Sequence, residues 1–228
     1  VPFMEDNCES LGARQQNGIL TGTWGLVGTF SFFYSHQISA IEGGMILTDD
    51  DDVANHCRVL RNHGWAKDVD PPQRFEDEYD FRLFGYNVRP LELHAAVARE
   101  QLKKLPQFIA IRQSNADVFR EAMQNVSGIE LPTWQSDFVS PFGLNFLAPG
   151  PVARRIIVQA LRAEGIDCRL PTGGSFRCHV YGAPWAKQAT PRADHIHNCG
   201  MFIGNPPWGA KDWIEKASTD LARRFDVI

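Results

Sequence analysis

Lysine is scarce in this sequence. The 228 residues hold only Lys67, Lys103, Lys104, Lys187, Lys211 and Lys216, so no lysine amine is available anywhere in the first 66 positions. Basic charge is also short: the net charge is −4 and no basic stripe occurs, which argues against a general nucleic-acid surface. No apolar run approaches the roughly 18 residues that a membrane-crossing helix needs, and no stretch has the pattern of a secretory signal. A membrane role is therefore not expected, and a cytoplasmic location is. The five cysteines (Cys8, Cys57, Cys168, Cys178 and Cys199) are odd in number and widely scattered. That spacing excludes a disulfide framework and predicts reduced, mostly buried thiols.

What is present suits a globular protein. Hydrophobic residues make up 43% and charged residues 22%, enough to bury a real core in one large or two small domains. Val1-Pro2-Phe3-Met4 reads as the end of a buried strand running to Glu5-Asp6-Asn7. With no initiator methionine, it suggests a piece of a longer protein or the product of a shortened gene. A glycine- and threonine-rich loop spans Gly18 to Gly28. The aromatic, β-prone run Thr29–Tyr34 predicts a strand, followed by an exposed loop over SHQISAIEGG and a short strand at Met45–Thr48. Asp49–Asp52 open a helix to about Asn62, where acidic side chains suit the helix dipole.

Residues 63–82, with Pro71-Pro72, predict a long loop. Pro90 is expected in the first turn of the next helix, LELHAAVAREQLKKL, and a second helix is expected from about Phe108 to Met123. The chain then changes character after Gly128. A strand at Phe142–Leu147, a helix at Pro151–Glu164, a strand reached through 165–169 and a last helix at Lys211–Phe225 make an α+β tail. No internal repeat or low-complexity segment is seen. The expected division is 1–105, part of a larger α/β domain, and 106–228, a small domain with its linking helix.

Several residues carry possible chemistry. Asp6 stands at the carboxyl end of the first strand, where open α/β sheets place ligand groups; it can cap a loop or pair with a protonated ring nitrogen. Ser31 and His36 flank the next strand end, where a hydroxyl can hold phosphate and an imidazole can move a proton near neutral pH. Glu42-Gly43-Gly44 allows a tight turn. Asn87 and Arg89 in GYNVRP precede a helix, a fitting place for an anion or simply a solvated loop. Cys178-His179 with His195, His197 and Cys199 has the residue types for zinc but no CxxC pair, so neither a metal site nor an iron–sulfur cluster is expected.

In order, EDNCESLGA (5–13), GTFSFFYSHQISAIEGGMILTDD (28–50), LRNHGW (60–65), FGYNVRPLELHAAVAREQLKKL (84–105) and IGNPPW (203–208) resemble the second half of the DegT/StrS family of sugar aminotransferases. The resemblance covers nearly the whole chain. It implies a fold-type-I, pyridoxal-phosphate-dependent α/β enzyme whose leading part is missing, a homodimer, and a nucleotide-linked sugar as substrate. By position, Asp6 would pair with the pyridine nitrogen, Glu9 would lie near the ring hydroxyl, and Ser31 would touch the cofactor phosphate. Asn87 would reach the phosphate of the neighbouring subunit.

His36 takes the place of the family's cofactor-binding lysine. Imidazole cannot form that lysine's Schiff base but can still move a proton. The cofactor, pyridoxal 5'-phosphate or pyridoxamine 5'-phosphate, would then be held noncovalently. This departure, with EDNCES and GGSFR (173–177), resembles the family's 3-dehydratase branch. The implied reaction is 3-dehydration of a nucleotide-linked 4-keto-6-deoxy sugar for lipopolysaccharide synthesis. The alternatives are a sugar aminotransferase and a shortened remnant that binds no cofactor.

Overall fold

A computed structural model describes residues 1–124, 126–133, 138–185 and 187–225. The chain separates into two compact units, Val1–Pro106 and Gln107–Ile228. In the first, β1 (Met4–Asp6) runs parallel to β2 (Val27–Ser31), and β2 pairs antiparallel with β3 (Gly44–Leu47). The strand order is β1-β2-β3. The first strand is not the buried one expected from its composition: Met4 is 71% exposed, and β3 is exposed along its whole length. β2 begins two residues before the aromatic run, at Val27, where it pairs with Met4 of β1, and Gly28 packs where a side chain would not fit. A Cβ on Gly28 would stand 2.0 Å from the Gly22 carbonyl oxygen.

The SHQISA stretch is not an exposed loop either. Gln37, Ile38 and Ala40 are buried, and the Ala40 N–H donates to the Phe32 carbonyl at 2.9 Å, folding the segment back on the end of β2. Helix α1 (Asp51–Arg61) is capped by Asp50, whose side chain accepts from the Val53 N–H; Asp51 and Asp52 in the first turn and Arg58 and Arg61 in the last complement its dipole. After it the chain crosses itself closely. Gly64 has φ +84°, and a Cβ there would lie 1.7 Å from the Leu83 carbonyl oxygen, so glycine is required on both counts. The long loop holds two short 3-10 turns, Ala66–Asp68 and Phe75–Asp77.

Helix α2 (Glu92–Leu102) starts after Leu91, so Pro90 lies just outside the helix instead of in its first turn. Proline restrains the backbone before it and so sharpens the entry. Helix α3 (Leu105–Met123) instead takes up Pro106 in its own first turn, where the missing N–H has no helical partner to lose; it therefore begins earlier than Phe108.

The second unit is built on the antiparallel sheet β4-β6-β5: β4 (Gly143–Leu147), β5 (Cys168–Arg169) and β6 (Gly200–Gly204). Helices α4 (Pro151–Ala163), α5 (Pro191–Cys199) and α6 (Lys211–Phe225) accompany it. Phe119 and Met123 of α3, Leu144 and Phe146 of β4, Ile157 and Leu161 of α4, Met201 and Ile203 of β6 and Ile214 of α6 form one apolar core. Full burial of each such side chain contributes about 1.5–3 kcal/mol. Among the described residues, no helix is long and apolar enough to cross a membrane. All five cysteines are free, but only Cys168 and Cys199 are buried; Cys8 and Cys57 are half-buried and Cys178 is exposed, so the thiols are less hidden than expected.

Candidate active site

Parallel pairing puts the carboxyl ends of β1 and β2 on one edge, with Asp6 opposite Thr29 and Ser31 two residues further along. Asp6 Oδ1 accepts from the Cys8 N–H at 3.1 Å. Hydrogen bonding by the Cys8 side chain and amide, against opposing burial and with help from Thr29 and the nearby His36, holds the Asp6 carboxyl below the usual carboxylate range. Burial, reinforced by Asp6, pushes the Cys8 thiol up. Asp6 is thus ionised at neutral pH.

Beyond β2 the chain turns, with the His36 N–H donating to the Phe33 carbonyl at 3.0 Å. The His36 ring is half-buried, edge-on to Phe33 with centroids 5.8 Å apart. Burial lowers its pKa by more than the Glu9 and Asp6 carboxylates raise it. The imidazole therefore favours its neutral form near pH 7, within electrostatic reach of two carboxylates.

Two neighbours not anticipated from the sequence set this arrangement. Gln37 is 1% exposed, and its Nε2 donates to the Glu9 carbonyl at 2.5 Å, tying the loop after β1 to the loop after β2. Glu5 accepts from the backbone N–H groups of Gly22 (2.8 Å), Trp24 (2.8 Å) and Gly25 (2.7 Å). Burial raises the Glu5 pKa, but the amides of Gly25, Gly22 and Trp24 together outweigh it and hold the carboxyl below its ordinary value. Buried Asn7 adds a further tie, donating its N–H to the Thr29 carbonyl and accepting from the Ser10 hydroxyl. The glycines at 22, 25 and 28 were the available signal, since a run of close backbone approaches leaves amides pointing at something anionic.

Asp6, Glu9 and His36 are thus brought together, with Ser31 at the same sheet edge; its hydroxyl accepts from the Phe33 N–H at 3.2 Å. Gly43, at φ +137°, makes the turn before β3, and its carbonyl accepts from the Phe32 N–H. Asn87 belongs to a different part of the unit. It is exposed, bridges Asn62 through its backbone, and accepts from Arg89 Nη2 at 3.4 Å. Among the described residues, no group of three or more His, Cys, Asp or Glu could hold a metal ion.

This α/β arrangement is the fold of the pyridoxal-phosphate-dependent transferases. An Escherichia coli GDP-4-keto-6-deoxy-D-mannose-3-dehydratase structure with bound hydrated PLP overlays 97% of this chain and 60% of its own, with a TM-score of 0.87 and 34% identity. A mutant of GDP-4-keto-6-deoxymannose-3-dehydratase with bound GDP-perosamine overlays 97% and 61%, with a TM-score of 0.89 and 34% identity.

Residues 1–203 match the model of the DegT/DnrJ/EryC1/StrS aminotransferase family, and the chain belongs to that family. Within it, the chain is similar to the 3-dehydratases. The GDP-4-keto-6-deoxy-D-mannose 3-dehydratase of Yersinia pseudotuberculosis is 39% identical over 222 residues, 89% of this chain and 55% of the relative. The chain thus spans little more than half the length of that relative.

Proposed function

We propose that this chain belongs to an enzyme that uses pyridoxamine or pyridoxal phosphate to remove the C3 hydroxyl of a nucleotide-linked 4-keto-6-deoxy sugar. The observation that carries the proposal is His36, an imidazole beyond the end of β2 and within electrostatic reach of Asp6 and Glu9, in a segment of 66 residues that holds no amine side chain. The donor set suits a noncovalently held cofactor: an ionised carboxylate, a hydroxyl and a proton acceptor at one sheet edge. Likeness to the 3-dehydratases of Yersinia and Escherichia supports the same reading.

When bound, the cofactor supplies an amine for the sugar's 4-keto carbon and a ring that takes up electrons as a C–H bond breaks. Asp6 would stand against the ring nitrogen and keep it protonated, with Glu9 near the ring hydroxyl. Ser31 would hold the phosphate. His36 would take the proton from the carbon that bears the amine, and its neutral form at pH 7 is the form that can do so. Exposed Asn87 would reach the phosphate site of a second subunit in a cytoplasmic homodimer. The product would serve cell-surface polysaccharide synthesis.

The test is to titrate the purified chain with pyridoxamine phosphate and then add a GDP-linked 4-keto-6-deoxy sugar, following C3 deoxygenation by mass spectrometry. Saturable binding with loss of the C3 oxygen is expected. His36→Lys should convert the noncovalent complex with pyridoxal phosphate into one trapped by borohydride at residue 36. A borohydride adduct on a native lysine, or transfer of an amino group to the sugar, would establish an aminotransferase instead. Absence of saturable binding would identify a form that does not hold cofactor.

A further inference from the structure

The second unit brings together a cysteine and a histidine that the proposed reaction does not use. His197 lies near the end of α5, and Cys178 closes the short 3-10 turn Phe176–Cys178. Their side chains meet, with Cys178 Sγ 3.6 Å from His197 Nε2. The opposite ring nitrogen is also engaged: the Ser175 N–H donates to His197 Nδ1 at 2.9 Å. A ring nitrogen that accepts an amide proton carries none of its own, so the neutral ring bears its hydrogen on Nε2. The ring is therefore a donor to the sulfur, not a base waiting for the thiol proton.

The surroundings hold this geometry in place. A Cβ on Gly174, which has φ +92°, would stand 2.6 Å from His197 Nδ1, so glycine is needed for the Ser175 amide to come so close. Arg177 Nη1 donates to both carboxylate oxygens of Asp194, at 3.0 and 2.8 Å, and to the Thr190 hydroxyl at 2.9 Å. Those bonds tie the turn that carries Cys178 to the start of the helix that carries His197. Arg154 Nη1 fixes the other end by donating to the His197 carbonyl at 2.5 Å. Cys178 itself is exposed, unlike the other four cysteines.

We propose that Cys178 and His197 form a modification site for soft carbon electrophiles of the α,β-unsaturated carbonyl class, with Cys178 as the nucleophile and His197 as its positioning residue. The N–H of Nε2, 3.6 Å away, is placed to donate to the sulfur as it attacks. The thiol proton leaves to solvent, because the ring already holds a proton on that side. The sulfur lone pair forms a C–S bond to the β-carbon as the C=C π pair moves toward the carbonyl oxygen. A proton from water then returns to the α-carbon. No oxidant or reductant is involved.

The experiment treats the full chain with sub-stoichiometric N-ethylmaleimide at pH 7 and maps the labelled cysteines over time by mass spectrometry. Cys178 should react first, and faster in the native protein than in the same protein unfolded in denaturant. His197→Phe should slow native labelling of Cys178 about tenfold, the size of a lost hydrogen bond to a charged atom. His197→Gln, whose amide can still donate, should restore part of the rate, which a purely structural role would not predict. Gly174→Ala, whose methyl would press on the His197 ring, should also slow labelling. In denaturant all variants should label alike. Equal native rates in wild type and His197→Phe, or no difference between native and unfolded wild type, would overturn the proposal.

Discussion

Phe146 in the second unit is 1% exposed, while Phe84 in the first is 105% exposed. The contrast runs through the whole molecule. The continuous apolar core gathers residues from α3 to α6, all in the second unit. Its buried polar groups are also satisfied: Asn205 Nδ2 donates to the carbonyls of Arg112 and Pro141, and Asn115 bonds Asn205, Pro206, Trp208 and Ala210. The first unit instead leaves Met45, Ile46, Leu47, Phe75, Tyr79, Tyr86 and Val88 open. It is ordered by directional bonds, from Glu5 to three amides, Gln37 to Glu9 and Asp50 to Val53. The second unit buries one large apolar cluster, whereas the first buries fewer apolar side chains, among them Val27, Phe30, Ile38 and Val59, alongside these directional bonds. The proposed catalytic groups sit in the first unit.

The sharpest way to break that comparison is a pair of truncations of the same residue type. Phe146→Ala should destabilise the second unit by about 3–5 kcal/mol, whereas Phe84→Ala should change stability by no more than about 0.5 kcal/mol. Hydrogen exchange followed by mass spectrometry would resolve the loss to the peptides of β4 and β6. Equal effects would show that the exposed face of the first unit is covered in solution.

Next in size, Gly28→Ala should cost about 1–3 kcal/mol, because its methyl would press on the Gly22 carbonyl, a backbone atom with no rotamer to yield. Faster exchange confined to residues 4–31 is the expected signature. Glu5→Gln acts on the same loop more gently. It removes the charge but keeps one acceptor oxygen, at a cost of about 1–2 kcal/mol. Because the Glu5 carboxyl is held below its ordinary value of 4.5, its contribution is complete above that pH and is lost as the pH falls through the lowered value. Acid denaturation of the wild type, but not of the glutamine variant, should carry this component.

Much of this fold was legible in the sequence, for reasons that also explain what was not. The last helix follows an apolar period along Lys211–Phe225 and lies where that period places it. The opening of α1 is marked by four aspartates, three of which sit at the N-cap and in the first turn. Helix α5 and strand β6 gave no comparable signal. Pro191–Cys199 has histidines and polar residues where an apolar stripe would be, and GMFIG is short and has glycine at both ends, with only Ile203 and Gly204 inside the IGNPPW segment. At the site, Asp6 and His36 were visible as residue types at strand ends. Gln37 was not, because a buried amide is recognised by the carbonyl it meets, Glu9, and that pairing joins residues 28 positions apart. Nor does the sequence reveal that burial outweighs two carboxylates in setting the charge of His36.

That balance gives the smallest and most specific effect. The folded-state pKa of His36 lies below the ordinary imidazole value of 6.5, so folding favours the neutral ring. Between the unfolded value and the lowered one, the unfolded chain binds more protons, and stability must fall as the pH falls. Above pH 6.5 the contribution is fully present. His36→Gln removes the titration, and the stability difference between pH 7 and pH 5 should shrink in the variant, read by exchange in peptides covering 1–48. An NMR titration of the His36 ring should place its midpoint below 6.5, and Glu9→Gln should lower it further by removing a carboxylate that raises it. A midpoint above 6.5 would mean that Glu9 and Asp6 prevail over burial. The ring would then be charged at neutral pH and unable to take the proton that the proposed dehydration requires.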